Sequence, residues 1–261
     1  MGGLVSTTRE IRRRGTSSRL ASVSILLSPG GVDGKQVPHE VVLSTIAHDM
    51  RRHLTPIIGV SQTLLTRGSK LSDAERAECV KITLRNALQL EHLIHEMIDL
   101  QRFDADGWIL HRRPTDVRAL IDALVPELDM GNRPLRVDGD GRIVNIDPGL
   151  LERIIDNLVQ NAKAYTPPGS PIIIATLSDR TGAHITVQDS GPGVPDGIKT
   201  AIFDDFRSGP AGGSGLGLSL VKRFSEIHGG RAWVEDVRGG GARFCVHLPE
   251  AGGALDGRRK H

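Results

Sequence analysis

From His39 onward, Leu43, Ile46, Met50, Ile57, Val60 and Leu64 recur at steps of three, four and, once, seven residues. That spacing puts them on one stripe of a helix built to pack against another helix. The helix is expected to run to about Arg67. After Gly68, Ser72 followed by Glu75 three residues later is a capping box that opens a second helix. Its stripe is Leu90, Leu93, Met97 and Leu100. Two such helices joined by a short turn leave too much apolar surface open for a lone hairpin, so a homodimeric four-helix bundle is expected. From Asp104 to Arg113, with Gly107 and Pro114, the periodicity breaks and a linker is expected.

The remainder alternates helix and strand signals. A helix capped near Thr115 and Asp116 precedes a Gly-rich strand region ending at Ile146. Asp147-Pro148 then supplies an N-cap and an N1 proline for a helix with an apolar face of Leu150, Leu151, Ile154, Ile155 and Leu158. Strands are expected at Ile172 to Leu177, Ala183 to Gln188, Arg231 to Asp236 and Ala242 to Leu248. A helix from about Gly215 to His228 is stopped by Gly229. The fold class is α+β: a helical hairpin forming a dimeric bundle, followed by an α/β sandwich of mixed sheet and helices. The expected domains are a flexible leader at 1–38, the hairpin at 39–107, the sandwich at 112–250 and a flexible basic tail at 251–261.

Charge and composition narrow the partners. Lys plus Arg 33 against Asp plus Glu 31 leaves a formal +2, which argues against nucleic acid or an anionic lipid surface. Five Phe, two Trp and one Tyr are too few for the stacking platforms of single-strand binders. No apolar run approaches the roughly 20 residues of a membrane helix, so no direct membrane insertion is expected. Cys79 and Cys245, far apart in sequence, indicate neither a disulfide framework nor a cysteine zinc site, and a reducing cytoplasm is the simplest compartment. The leader carries Arg9, Arg12, Arg13, Arg14 and Arg19, with one short strand suggested at Ser22 to Leu27. Met1-Gly2 with Ser6 fits a myristoylation pattern and the Arg-rich stretch a transit peptide, but a solvated leader is the simpler reading.

Four sets of residues carry chemistry. In the heptad frame with Leu43 and Ile57 at position a, His48 falls at f, furthest from the seam, and is expected to be exposed. Asp49 beside it can hold one ring nitrogen protonated and leave the other free as a nucleophile. Asn157 and Asn161, at i and i+4, share a helix face and offer hard oxygen ligands suited to Mg²⁺ in contact with phosphate. Asp189-Ser190-Gly191-Pro192-Gly193 follows a strand, where the carboxylate can accept from an exocyclic amine and the glycines admit a ring. Gly212-Gly213-Ser214-Gly215-Leu216-Gly217-Leu218 runs into a helix and can cradle an anion, although it is neither a Walker A loop nor a dinucleotide fingerprint. His92 and His95, flanked by Glu91 and Glu96, have helical spacing but read as a solvated face rather than a metal site.

Taken in order, these motifs resemble those of the bacterial sensor histidine kinases, from about Val41 to Pro249. His48-Asp49-Met50-Arg51 with Leu54-Thr55-Pro56-Ile57 and Gly59 is similar to the phosphoacceptor box. Asn157 to Ala162, ending in Tyr165-Thr166-Pro167, is similar to the asparagine box. Asp189 to Gly193 and Gly213 to Leu218 resemble the two glycine boxes, and Ile202-Phe203-Asp204-Asp205-Phe206-Arg207 the phenylalanine box. His228-Gly229-Gly230 and the closing strand from Phe244 to Pro249 also match.

The resemblance implies a dimerisation and phosphotransfer hairpin followed by an ATP-binding domain of the histidine kinase and gyrase type. His48 and Asp49 would be catalytic, His48 attacking the γ-phosphate of ATP. Asn161 would hold Mg²⁺ with Asn157 assisting, Asp189 would read adenine, and Gly191 and Gly193 would admit the ring. Lys163, Tyr165, Phe203 and Phe206 would join the ATP site, and Gly213, Ser214, Gly215, Leu216, Gly217 and Leu218 would cradle phosphates. The phosphoryl group would pass to an aspartate of a response regulator receiver domain.

Departures from the family pattern carry their own expectations. Arg52 and His53 stand where Thr or Asn and then Pro are usual, which implies either weak phosphatase activity towards the partner or a cationic Arg52, one turn from His48, that helps attract the γ-phosphate. Ala164 stands where a basic residue is frequent, Asp205 replaces a proline, and the lid from Arg207 to Gly212 is short. The alternative function is a degenerate scaffold that dimerises and binds ATP without phosphorylating itself. A gyrase-like hydrolase is disfavoured because Asn157 stands where those ATPases carry a catalytic Glu, and a ketoacid-dehydrogenase-type kinase is disfavoured by the exposed His48 box.

Overall fold

The computed structural model describes residues 39–106, 108–128, 130–207, 209 and 213–250. The leader with its suggested strand, the basic tail and most of the lid lie outside them. The chain divides into two compact units, the boundary falling between Trp108 and Ile109.

The first unit is a hairpin of α1 (His39–Arg67) and α2 (Asp73–Asp106), joined through a 3₁₀ turn at Gly68–Lys70. The capping box forms as expected: Ser72 N–H donates to Glu75 Oε2 at 2.7 Å, and Glu75 N–H returns to Ser72 Oγ at 3.3 Å. The Ser72 N–H and hydroxyl, both donating to the Glu75 carboxylate, hold it below its usual pKa. α1 continues through Pro56, whose ring nitrogen cannot donate to the Arg52 carbonyl. α2 runs on to Asp106, past the point where the loss of apolar period predicted a linker at Asp104. Periodicity reports burial, and a helix outlasts its buried stripe.

The second unit is an α/β sandwich. β1 (Arg113–Asp116) pairs antiparallel with β3 (Ile143–Ile146) in a small two-stranded sheet. β1 was not expected as a strand; Arg113-Pro114-Thr115-Asp116 has no alternation to signal it, and its pairing comes from β3 alone. Asp116 does cap α3 (Val117–Leu124), accepting from Ala119 N–H. The main sheet has the order β2-β4-β5-β7-β6, from β2 (Leu135–Gly139), β4 (Ile172–Asp179), β5 (Gly182–Gln188), β6 (Arg231–Asp236) and β7 (Ala242–Pro249). β2 lies parallel to β4, and the other pairs are antiparallel.

α4 (Pro148–Tyr165) and α5 (Gly217–Ile227) pack together and against the sheet. Leu150, Leu151, Ile154, Ile155 and Leu158 of α4 and Leu220, Val221 and Phe224 of α5 are buried with Ile172, Ile174, Ile185, Val187, Phe244, Val246 and Leu248 of the strands. Aliphatic side chains do almost all of this packing, as the shortage of aromatics requires. α5 begins at Gly217 rather than at Gly215, because Gly215 has a φ of 70°, in the left-handed region that a right-handed helix cannot use.

Candidate functional site

In the hairpin, the f position of α1 delivers what the heptad frame predicts. The His48 side chain is 76% exposed and its Asp49 neighbour only 8%. His48 Nδ1 lies 3.3 Å from Asp49 Oδ1, so a buried carboxylate orients an exposed ring and leaves Nε2 facing outward. The second oxygen, Asp49 Oδ2, is buried with no hydrogen-bond partner among the described residues. Below this pair, His53, standing where the family resemblance would put a proline, lies with Nδ1 3.3 Å from Asn86 Oδ1. Asn86 also donates to the Ile82 carbonyl at 2.8 Å, so a polar link ties α1 to α2. Thr55 Oγ donates back to the Arg51 carbonyl, and Arg52 is exposed. The reading of His92 and Glu96 as a solvated face needs correcting: Glu96 is buried, and His92 Nε2 lies 3.4 Å from it. Among the described residues no group of three or more His, Cys, Asp or Glu stands close enough to hold a metal ion.

In the sandwich, α4 places Asn157 and Asn161 one turn apart. Asn157 is buried; its Nδ2 donates to the Arg153 carbonyl at 2.8 Å, and its Oδ1 has no hydrogen-bond partner among the described residues. An amide oxygen held in a buried position without a donor is a hard ligand in want of a cation or a polar ligand group. Asn161, half-buried, continues the same face. At the C-terminal end of the helix, Lys163 and Tyr165 are half-buried, and the Tyr165 hydroxyl packs so close to Gly209 that a Cβ there would lie 2.2 Å from it.

Asp189, at the end of β5, is buried and held through one oxygen. Oδ1 accepts from Gly191 N–H at 2.7 Å and from Ala242 N–H at 3.3 Å. That geometry fixes the carboxylate to the loop through one oxygen. A Cβ on Gly191 would fall 2.9 Å from the Tyr165 carbonyl oxygen, so the first glycine box sits directly against the end of the asparagine helix. Gly193, with φ 76°, turns the chain beside Gly241.

The second glycine run meets the phenylalanine box. Ser214 Oγ accepts from Leu216 N–H at 3.1 Å, next to the N-terminus of α5. A Cβ on Gly215 would come within 2.6 Å of the Phe206 and Arg207 backbone, so only glycine lets the two segments touch. Phe206 itself has a φ of 61°, which a bulky residue adopts only where its surroundings enforce it. Leu216 is fully buried and Phe203 packs edge-on against Phe244, so these two contribute backbone and support. Gly217 opens α5 and Leu218 is half-buried in its first turn. Gly213, with φ 128°, borders the undescribed part of the lid.

Three contacts had no signal of their own in the sequence. Arg133 donates to Thr166 Oγ at 2.6 Å and to the Lys163 and Thr166 carbonyls at 2.9 Å each, closing the C-terminus of α4. Asp205, in the proline's place, pairs with Arg223 of α5 at 2.6 Å. Gly241 packs on Asp189 so closely that a Cβ would lie 2.1 Å from its carbonyl oxygen. The run Gly239-Gly240-Gly241 was visible in the sequence; its contact with Asp189 comes from the pairing of β5 with β7. Elsewhere, burial pushes the Cys245 thiol up to about 12, which makes it an inert packing residue.

Comparison with known proteins agrees with this layout. Residues 40–106 match the His Kinase A (phospho-acceptor) domain, and residues 146–252 the histidine kinase-, DNA gyrase B- and HSP90-like ATPase. The chain is 32% identical over 214 residues to sensor protein DivL of Caulobacter vibrioides, covering 80% of this chain and 28% of that protein. It is 34% identical over 216 residues to sensor histidine kinase TmoS of Ectopseudomonas mendocina, covering 78% of this chain and 22% of that protein. The chain thus spans less than a third of the length of either relative. Full-length ShkA, solved in complex with AMPPNP, is similar over 80% of this chain and 46% of its own, with a TM-score of 0.50 and 25% identity. With a phosphoacceptor domain and a kinase-type ATPase domain in succession, and sensor histidine kinases among its relatives, the chain belongs to the two-component sensor histidine kinases.

Proposed function

We propose that the chain is an ATP-dependent protein-histidine kinase that phosphorylates His48 and passes the phosphoryl group to an aspartate of a response regulator receiver domain. The observation that carries this reading is His48 itself, an exposed imidazole whose Nδ1 is engaged by a buried carboxylate. With the Nδ1 proton held by Asp49, the lone pair on Nε2 attacks the γ-phosphorus. The Nε2–P bond forms as the bond to the β,γ-bridging oxygen breaks, ADP leaves, and Asp49 takes up the Nδ1 proton. Little covalent work is asked of the protein beyond alignment and charge compensation.

In the sandwich, Asp189 accepts a hydrogen bond from the adenine amino group through the oxygen its own loop leaves uncommitted, with Gly191 and Gly193 giving the ring room. Asn157 and Asn161 would hold Mg²⁺ through their amide oxygens, and the bare Oδ1 of Asn157 fits that use. Mg²⁺, when bound, neutralises charge on the phosphates. Lys163 and Tyr165 line the end of α4, and Gly213 to Leu218 offer backbone amides to the phosphates. ShkA, similar in fold and solved with an ATP analogue, supports a nucleotide there. Because Asn157 stands where a gyrase-type ATPase carries its general base, transfer to histidine is favoured over hydrolysis.

Dimerisation through the hairpin completes the proposal. Leu54, Ile58 and Leu65 of α1 and Val80, Leu84 and Leu88 of α2 are exposed at helical spacings, a second seam suited to another copy. No helix among the described residues is long and apolar enough to cross a membrane. We place the activity in the bacterial cytoplasm, where ATP and receiver domains are available.

The deciding experiment incubates the chain with Mg²⁺ and γ-labelled ATP beside His48→Gln and Asn161→Ala. The expected label is acid-labile and alkali-stable and is absent from both variants. No label despite measurable ATP binding identifies a scaffold instead. Slow dephosphorylation of the partner is expected with Arg52 and His53 in place, and rapid stimulated dephosphorylation would refute that part.

A further inference from the structure

At the end of α4 remote from Asn161, the segment leading into β1 is tied down by a small, closed set of hydrogen bonds. Asp147 caps α4 through Oδ1, which accepts from Leu150 N–H at 3.3 Å. Its other oxygen, Oδ2, accepts from His111 N–H at 2.8 Å, so one carboxylate serves both the helix and the incoming segment. The Asp147 N–H donates in turn to His228 Nε2 at 3.2 Å, across 81 residues of sequence. His228, at the C-terminus of α5, places its Nδ1 2.7 Å from the Phe224 carbonyl. Arg112 closes the set: Nη2 donates to the His228 carbonyl at 2.7 Å, and Nη1 to the carbonyls of Asn145 at 3.1 Å and Pro249 at 3.3 Å.

These partners dictate the state of the imidazole. A backbone N–H can only donate and a carbonyl can only accept, so His228 carries its proton on Nδ1 and keeps Nε2 bare. Protonation would set two N–H donors against each other at Asp147. The charged groups facing the ring are Arg112 of the incoming segment and Asp147 at the start of α4; burial holds the imidazole pKa below its usual value, Arg112 adds to the effect, and the Phe224 carbonyl and Asp147 oppose it. With 1% of its surface exposed, His228 has no water to replace a lost partner.

We propose that neutral His228 is a positioning residue for the nucleotide site: it holds Asp147, and through it His111, at the first turn of α4, while its carbonyl helps hold Arg112, so that the asparagine helix is seated only while the incoming segment is. Asn157 and Asn161 lie ten and fourteen residues beyond Asp147. At 1.5 Å per residue they are about 15 and 21 Å away along a continuous helix, which moves as a rod. A displacement of the segment that follows the hairpin therefore reaches the asparagines through Asp147. This rests on the proposed nucleotide role of α4.

The test uses the full chain with His228→Asn and His228→Gln. Asn keeps an amide N–H near the Nδ1 position but has nothing at Nε2; Gln reaches the Nε2 position with an oxygen able to accept from Asp147. Amide hydrogen exchange is read without nucleotide, and affinity for MgATP is read separately by displacement of a fluorescent ATP analogue. The Asn variant is expected to exchange faster at His111, Asp147 and Leu150 and to bind MgATP about fivefold more weakly, as the loss of one buried hydrogen bond implies. The Gln variant is expected to stay near native and to lose the fall in affinity expected of the native chain as pH drops through the His228 titration. Arg112→Gln should also speed exchange at His111 and, with the guanidinium charge gone, move the pH profile upward without abolishing it.

Equal damage from Asn and Gln, or unchanged exchange at His111 and Asp147 in the Asn variant, overturns the proposal and leaves His228 as packing. Faster exchange with unchanged MgATP affinity overturns the link to the asparagine helix. A native chain that binds no nucleotide overturns the proposed function itself, and that result is seen before any variant is compared.

Discussion

The hairpin and the sandwich use similar aliphatic side chains to different effect. In the sandwich, a sheet lies over α4 and α5, and Leu151, Ile154, Ile155, Leu158, Leu220 and Phe224 are sealed completely. In the hairpin, α1 and α2 bury one stripe against each other, while Leu54, Ile58, Leu65, Val80, Leu84, Leu88, Ile94 and Ile98 remain exposed. Each helix of a pair can cover only one face of its neighbour, whereas a five-stranded sheet covers two helices at once. The sandwich is therefore finished as a single chain, and the hairpin carries a second apolar surface that calls for a partner.

The sharpest challenge to that contrast is truncation. Phe224→Ala should cost the sandwich about 3–5 kcal/mol in urea unfolding, from lost burial plus the cavity left behind. Leu84→Ala, measured at protein concentrations too low for dimers, should cost the hairpin less than about 1 kcal/mol. Equal losses would erase the distinction. Next in size, the double variant Leu84→Glu with Leu88→Glu should halve the mass seen by sedimentation and make hairpin melting independent of concentration, while MgATP affinity stays native. A variant that remains dimeric would place the interface elsewhere.

A smaller effect separates the units by their local chemistry. Ser72→Ala removes one half of the capping box and should lower hairpin stability by about 1 kcal/mol, with the sandwich transition unmoved in calorimetry. The smallest is a pH dependence confined to the sandwich. Burial depresses the pKa of both His228 and His247, and the His184 ring stacked 4.4 Å away adds to the effect at His247. Below the unfolded histidine pKa of about 6.5 the unfolded state binds more protons, so sandwich stability should be full above that pH and decline as pH falls towards the folded values. A hairpin transition that falls in parallel would show that these two histidines are not the cause.

Most elements were legible because their signals are local. The Ser72 and Glu75 capping box, the Asp147-Pro148 start of α4, and the Gly229 stop each depend on residues within one turn. His48 was readable as exposed because the heptad frame assigns a face to every residue of a helix. Asp189 and the glycine boxes could be named as candidate site residues from their motifs. Arg133, Gly241, the Asp205 and Arg223 pair and β1 could not, since each depends on a partner contributed by a distant part of the chain. Glu96 was misjudged for a related reason: a carboxylate in a helical sequence gives no sign of whether its face will be covered.

By itself the sequence determined the order of the parts, the faces of the helices and the identity of the chemical groups, because propensity, capping and amphipathic period act over a few residues. Only the tertiary structure decided which Asp189 oxygen is engaged, that Asn157 Oδ1 is left bare, and that His228 must stay neutral between Asp147 and Phe224. Those are properties of hydrogen-bond partners and burial, and both are created only when segments far apart in the chain are brought within 3 Å or so of one another.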